Sequence, residues 1–441
     1  MWSSLPAVTR SSIRTLATTS RPSLCRAERR SRTRRAEQMG SSATARLADR
    51  LLLAAGVVLF AIGQSLNFII VAPMARAVGL TEQQFGLAFT IASLPLLFSA
   101  PFWGRRSDRI GRKPVFILGL FGSGIGTALL GLSLQAGMQG LLGIGWILAC
   151  ITASRALYGL TSSAIYPAAA AYMADVTSWQ NRARGMAVIG SANSFGSILG
   201  PLLAAGLAAA GALVPMYAAA AMCMLGAAAA MLLLREPARH APRAQADTRL
   251  HFWDPRLRPF MIMWGCFFLV FISLNLLTAF YIEDRLGITD KKAIIRTASL
   301  VLISMAGVIT IVQGVFLQIW RVAPRTLLRL CGPAFCAGLL LMAFASNTGM
   351  LMGGYALLGL SFAFATPGIN GSASLAVEPQ EQGAAAGLLS ASNTAGGIVA
   401  PLFGTTIYQI APNAPFLFGA ALFFVLSLYA LTIPVRDRRS G

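Results

Sequence analysis

At 441 residues, with 56% hydrophobic and only 12% charged positions and a mean hydropathy of +0.66, the chain is too apolar for an ordinary soluble domain and reads as a polytopic membrane protein. Its formal net charge of +21 would suggest nucleic acid in a soluble chain, but here the cations sit between apolar runs with few aromatics among them, so no nucleic-acid partner is expected. Of the six Cys, Cys25 alone lies outside an apolar run; without a CxxC pair or a disulfide framework, neither a metal nor a cofactor is expected.

Residues 1–50 carry eleven Arg against three acids, Glu28, Glu37 and Asp49, and show no apolar periodicity. Three readings stay open for this arm: a disordered cytoplasmic segment, a stretch ahead of a true start at Met39, and an Arg- and Ser-rich transit peptide. It is set aside from the fold. Beyond it, apolar runs of roughly the 18 to 25 residues that a helix needs to cross ~30 Å of hydrocarbon fall at 51–72, 85–103, 114–135, 142–173, 184–208 and 212–234. A polar break follows, with Pro237, Pro242 and Pro255 among mixed charges, as a linker has. Six more runs lie at 258–282, 297–319, 326–346, 350–376, 384–410 and 414–434.

The two sets repeat. Ser65 to Asn67 reads SLN, as does Ser273 to Asn275, and GLT at Gly79 returns as GIT at Gly287, both 208 residues on. Later the offset is 200: Gly159 and Pro167 match Gly359 and Pro367, and Asn193, Gly196 and Pro201 match Asn393, Gly396 and Pro401. Two such repeats with a path between them is a transporter arrangement. The sequence therefore predicts an all-α membrane protein of twelve transmembrane helices in two pseudo-symmetric six-helix bundles, 51–234 and 258–434, joined by a cytoplasmic linker at 235–257 and followed by a tail at 435–441. Bases crowd the alternate loops, at Arg105 to Lys113, Arg182 with Arg184, the linker, Arg321 with Arg325 and Arg329, and Arg436 to Arg439. By the positive-inside bias both termini are cytoplasmic. Glu378 and Glu381 dissent, lying on that same side without an evident compensating base.

The densest of these loops is GRRSDRIGRKPV at 104–115, which sets one acid, Asp108, among Arg105, Arg106, Arg109, Arg112 and Lys113. Gly104 is expected to let the end of helix two approach a neighbour, Gly111 to permit a tight turn, and Pro114 to fit the first turn of helix three. Composition alone also allows a solvated anchoring loop. Helix four holds Arg155, followed by Gly159, with Asp175 at its inner end. A bare Arg at bilayer depth costs roughly 2.5 to 3.5 kcal/mol on insertion scales, so it must meet a cavity, a partner or the outer surface. Helix five carries Gly196 and Gly200, a smooth face for close packing, and Pro201, which bends the helix. Gly396 and Pro401 repeat this in helix eleven.

With these motifs in place the chain resembles the major facilitator superfamily, whose loop between helices two and three has this Gly, Asp-Arg, Gly-Arg-Lys pattern, and within it the drug:proton antiporters. The resemblance implies that Gly104, Asp108, Arg109, Gly111 and Arg112 form an inner-face latch between the halves, asymmetric because the second half's loop from Gly314 lacks the acid. It implies that Arg155, with Asp175, serves proton coupling or an anionic group. The helix-five motif resembles that of exporters, although Leu202 to Ala205 stand where a Gly pair is expected.

Uncharged amides at depth, Gln64, Asn67, Asn275, Asn370 and Asn393, with Asn193 and Gln313, are candidates for lining the substrate path or for bonding between helices. No acid lies inside helix one, two, three, five, eight, nine or eleven, so proton carriers are scarce. Nothing suggests an enzyme: both His lie in the linker and no metal-ligand spacing is present. The expectation is a monomer in a plasma membrane, such as a bacterial inner membrane, exporting a small amphipathic molecule against protons. Uptake or facilitated diffusion of a small organic solute, and a membrane receptor or scaffold, remain open.

Overall fold

In lipid a backbone N–H or C=O has no water to bond, so each apolar run satisfies these groups within itself and becomes a helix. The computed structural model describes residues 21–177, 182–237, 250–320, 322–378 and 381–433, with side chains described over the same ranges except at 21–46, 97, 100–101 and 182–184. The chain divides into two compact units, Met1–Leu51 and Leu52–Gly441; the packing and sites below belong to the second. Residues 1–20 of the arm, most of the linker and the tail from 434 lie outside the described residues, as do the side chains of Arg182 and Arg184.

The elements run α1 (Arg21–Ala77), α2 (Glu82–Ser93), α3 (Leu96–Ile110), α4 (Arg112–Met138), α5 (Ile144–Ser162), α6 (Ile165–Val176), α7 (Arg182–Leu207) and α8 (Val214–Leu233). After the linker come α9 (Arg258–Leu286), α10 (Lys291–Ile311), a π-helical turn (Val312–Phe316), α11 (Leu317–Ile319), α12 (Pro324–Ala343), α13 (Thr348–Ala376), α14 (Gln382–Tyr408) and α15 (Ala414–Thr432). Among the described residues, ten stretches are long and apolar enough to cross a membrane, the first being Leu47–Ala77 of α1. The α2 and α3 pair and α14 complete twelve passages, six before the linker and six after it. These two fall short for visible reasons. Pro95, which lacks an N–H, divides the second passage into pieces of 12 and 15 residues, and α14 interrupts its apolar run with Gln382, Ser390, Ser392, Asn393 and Thr394.

Local chemistry sets several ends. Thr81 and Gln84 form a reciprocal capping box at the start of α2. Asp290 and Asn347 cap α10 and α13 through the amides of Ala293 and Met350, both at 2.9 Å. Gly111, at φ 113°, takes a conformation that side chains disfavour and lets the chain reverse between α3 and α4. Pro167 accompanies a break between α5 and α6, whereas its repeat mate Pro367 sits inside the unbroken α13.

Glycines allow the closest approaches inside each half. A Cβ on Gly196 would lie 2.5 Å from the Val58 carbonyl oxygen, and one on Gly200 would lie 2.6 Å from Ser65 Cβ, so α7 sits directly on α1. Gly396 does the same for α14 on α9, with the Gly265 oxygen 2.2 Å from a would-be Cβ, and Gly159 accommodates Leu96. Gly104 departs from expectation: its face of α3 meets no neighbour, and a Cβ there would stand in open space. Between halves, α2 lies against α14 and α7 against α10. Gly86 makes the first of these contacts possible, because a Cβ there would be 2.7 Å from the Pro401 oxygen.

Candidate functional site

Two joined cavities lie between the halves. The deeper, about 210 Å³, is bordered by Gln64, Asn193 and Ser197 from the first half and by Phe271, Asn275 and Phe362 from the second. The other, about 750 Å³, shares Ser194, Ile198, Ile309 and Thr310 with it and continues past Ala54 and Ala187 to Gln313 and Gln318. It therefore opens toward the end of the bundle where α4 begins. The π-helical turn supplies Gln313 and Gly314 to this wall, and such turns widen a helix where it meets a site. In the deeper cavity the first half contributes Gln64, Ser65, Asn193, Ser194 and Ser197, while the second adds Asn275 and Thr310 to a cluster of rings: Phe271 and Phe362 stand 5.1 Å apart, backed by Phe267 at 5.9 Å from each.

Arg155 reaches a small side chamber of about 30 Å³ lined by Gln64, Asn67, Phe68, Phe89, Arg155 and Tyr158; Gln64 and Phe68 also border the deeper cavity. The guanidinium packs over the rings of Phe89 and Tyr158, with centroids at 4.5 and 4.8 Å. Cation–π contact of this kind lowers the cost of burying the charge. Arg155 is thus turned inward, not toward the surface. Among the described residues it is the one charged side chain bordering these three spaces.

At the end of the bundle where α1 stops, Arg76 joins the halves. Its guanidinium binds Glu82, Glu283 at 3.0 Å and Asp284 at 2.7 Å. The Tyr408 hydroxyl donates to Asp284 at 2.6 Å, and Arg76 lies 4.8 Å over the Phe280 ring. Phe85 packs edge-on against Phe280 at 5.7 Å, and Lys292 donates to the Ala209 carbonyl at 3.1 Å. Glu283 and Asp284 are the second half's side of this seal. Arg76 and Asp284 are 208 residues apart, the offset of the repeat itself, with opposite charge; that sign reversal was a signal available in the sequence.

At the opposite end the loop cluster stays within the first half. Arg112 pairs with Asp108 at 2.5 Å and Asp175 at 3.1 Å and donates to Ser107 at 2.8 Å. Glu236 receives the amides of Arg112 and Lys113 at 2.7 and 3.0 Å, a carboxylate on a helix N-terminus. Asp175 therefore belongs with the loop; it and Arg155 are about 30 Å apart along the passage at 1.5 Å per residue. Arg109 is exposed. The second half has its own cluster: Arg256 binds Asp254 at 2.9 Å and Glu381 at 3.0 Å, so Glu381 does have a compensating base. This guanidinium holds both carboxyls below their usual range. The ion pairs of Arg112 and of Arg256 each stay on their own side of the molecule, neither reaching the other half.

The amides divide. Gln64 and Asn275 border the central cavity and Asn67 the side chamber, and Asn193, also bordering the cavity, accepts from Tyr166. Asn370 is exposed and donates to the Thr366 carbonyl at 2.9 Å, and neither it nor Asn393 borders these spaces.

A twelve-passage bundle with a cavity between repeated halves defines a membrane transporter for a small molecule, not an enzyme. The family model for the Major Facilitator Superfamily matches residues 53–320 and 301–441, and the chain belongs to that superfamily. It is similar to Multidrug resistance protein 2 of Bacillus subtilis (strain 168), 24% identical over 395 residues, which cover 85% of this chain and 92% of that protein. It is also similar to the class B Tetracycline resistance protein of Escherichia coli, 24% identical over 371 residues, covering 81% and 88%. Among solved structures, a bacterial homolog of the human lysosomal transporter Spinster matches with a TM-score of 0.65 at 15% identity, covering 90% of this chain and 99% of that one.

Proposed function

We propose that this transporter exports a small amphipathic organic molecule in exchange for protons, by alternating access across a membrane such as a bacterial inner membrane, with both termini cytoplasmic and the chain acting as a monomer. The observation that carries this is the central cavity, tied shut between the halves at the Arg76 end and continuous toward the Arg112 end. With the loop of Asp108 on the cytoplasmic side, that is an inward-open state. Cargo enters from within, between the amide-lined first half and the phenylalanines of the second, in domains spanning 51–234 and 258–434. The relatives named for multidrug and tetracycline resistance support the outward direction.

In the outward-open state, Gly104, Asp108, Arg109, Gly111 and Arg112 latch the halves at the inner face, as the Arg76 network latches them at the outer face here. Since no carboxylate among the described residues borders the cavity, the protons bind at the ends: Glu82, Glu283 and Asp284 outside, Asp108 and Asp175 inside. Gln64, Asn67 and Asn275 contact cargo. The test is flux of tetracycline and of a panel of amphipathic dyes in proteoliposomes with an imposed pH gradient. Gradient-driven exchange is expected. Flux blind to the gradient removes proton coupling and leaves a facilitator, and the absence of flux across the whole panel favours a scaffold.

A further inference from the structure

The side chamber beside the cavity collects polar groups that have nothing to bond. Tyr158 is 7% exposed and Asn67 5% exposed, and among the described residues neither the Tyr158 hydroxyl nor Asn67 Oδ1 has a hydrogen-bond partner. Arg155 shares the chamber and packs over two ring faces, and among the described residues its guanidinium has no hydrogen-bond acceptor. Buried polar groups are normally paired, and a cluster left unpaired around a cavity marks a place where a ligand completes the bonding.

The repeat makes the asymmetry plain. Asn275, the mate of Asn67, donates to the Phe271 carbonyl at 2.7 Å. The position 200 residues beyond Arg155 is Tyr355, whose hydroxyl bonds Thr278 and the Leu274 carbonyl. The second half is thus satisfied at both positions where the first is not.

The missing partner has a definite chemistry. Guanidinium and phenol offer donors. The Asn67 amide now donates Nδ2 to Thr127 at 3.4 Å; turned over, it accepts the Thr127 hydroxyl proton and presents Nδ2 to the chamber. About 30 Å³ suits one water or a small oxyanion head, and water alone leaves the guanidinium without a counter-charge. We propose that the chamber seats the carboxylate of the cargo, whose apolar body lies in the cavity against Phe271 and Phe362, so that this protein selects amphipathic organic anions over cations. This rests on the central cavity being the cargo site and not on transport direction or proton coupling.

The test is calorimetric titration of the purified full-length protein in nanodiscs with three naphthyl probes of one ring system: 1-naphthaleneacetate, its amide and 1-naphthylmethylammonium. The carboxylate is expected to bind about tenfold tighter than the amide, the scale of hydrogen bonds to a charged group, and the ammonium weakest. Arg155→Gln should erase the preference for carboxylate over amide, and Arg155→Lys should retain part of it. Tyr158→Phe removes one atom from the chamber and should weaken the carboxylate by about three- to fivefold with the amide unchanged; it remains informative if Arg155→Gln does not fold. Equal binding of amide or ammonium, or no binding of any probe, overturns the assignment. Acetate competing as well as naphthaleneacetate does so too, because the chamber is then a site for small free anions. Flux that lacks proton coupling leaves it untouched.

Discussion

Arg76 and Arg112 are both set among carboxylates at opposite ends of the bundle, yet they do different things. Arg76 draws Glu82 from its own half and Glu283 and Asp284 from the other, whereas Arg112 draws Asp108 and Asp175 from its own half alone. The first arrangement resists separation of the halves and the second resists only local rearrangement. An ion pair acts as a gate when its partners sit on bodies that move apart; charge density by itself does not distinguish the two.

Overpacking at the sealed contact should have the largest effect. Gly86→Val puts a side chain into the Pro401 oxygen and Thr405, and overpacking costs about 1–3 kcal/mol, enough to shift a two-state balance by about tenfold. Flux should fall to that extent while detergent-extracted protein stays monodisperse; unaltered flux would mean that the α2 and α14 contact carries no part of the cycle. Arg76→Gln comes next, since it leaves Glu82, Glu283 and Asp284 facing one another without a cation. The partners are roughly a quarter to a third exposed, so solvent screening limits the effect to about 1–2 kcal/mol. Thiol labelling of single cysteines introduced at Leu80 should rise several-fold as that end loosens. Tyr408→Phe removes one hydrogen bond to Asp284 and should give a smaller change in the same direction, about 1 kcal/mol.

At the other end, Asp108→Asn should change thermal stability by no more than about 0.5 kcal/mol, because Asp108 is 52% exposed and Arg112 keeps Asp175. Transport should nonetheless fall severalfold if this loop latches the opposite state, and wild-type flux in the mutant would remove the latch. The smallest effect is acid-dependent. Asp254 and Glu381, held below their ordinary 3.8 and 4.5 by Arg256, lend stability that is full above those values and lost as pH falls through the depressed ones. The cluster's contribution to the melting temperature should therefore be constant from pH 5 to 7, with Arg256→Gln differing least from wild type below about pH 4.

Length and apolarity made the passages legible in the sequence, since lipid leaves a helix as the only local solution, and Gly196, Gly200 and Gly396 showed their packing role by spacing. Arg155 was legible because charge at bilayer depth demands a reason. Its side chamber was not, because Asn67, Phe89 and Tyr158 come from three passages and their meeting depends on helix rotation. Asn370 and Asn393 illustrate the same limit: a passage apolar all round does not reveal which face meets the cavity. Arg76 is a single base at the end of its apolar run, with little in its local sequence to mark it beside the richer loop at 104–115, although its repeat mate is Asp284. The base that answers Glu381 lies 125 residues away in sequence, a pairing that no local pattern encodes.

The most direct measurement is the distance between spin labels placed across the Arg112 end, on Arg109 of the first half and Leu330 of the second, in wild type and in Arg76→Gln. Two populations are expected, a long one matching the separation here and a shorter one that grows when the Arg76 seal is cut. A single long distance, unmoved by Arg76→Gln and by added cargo, would contradict alternation between the two ends.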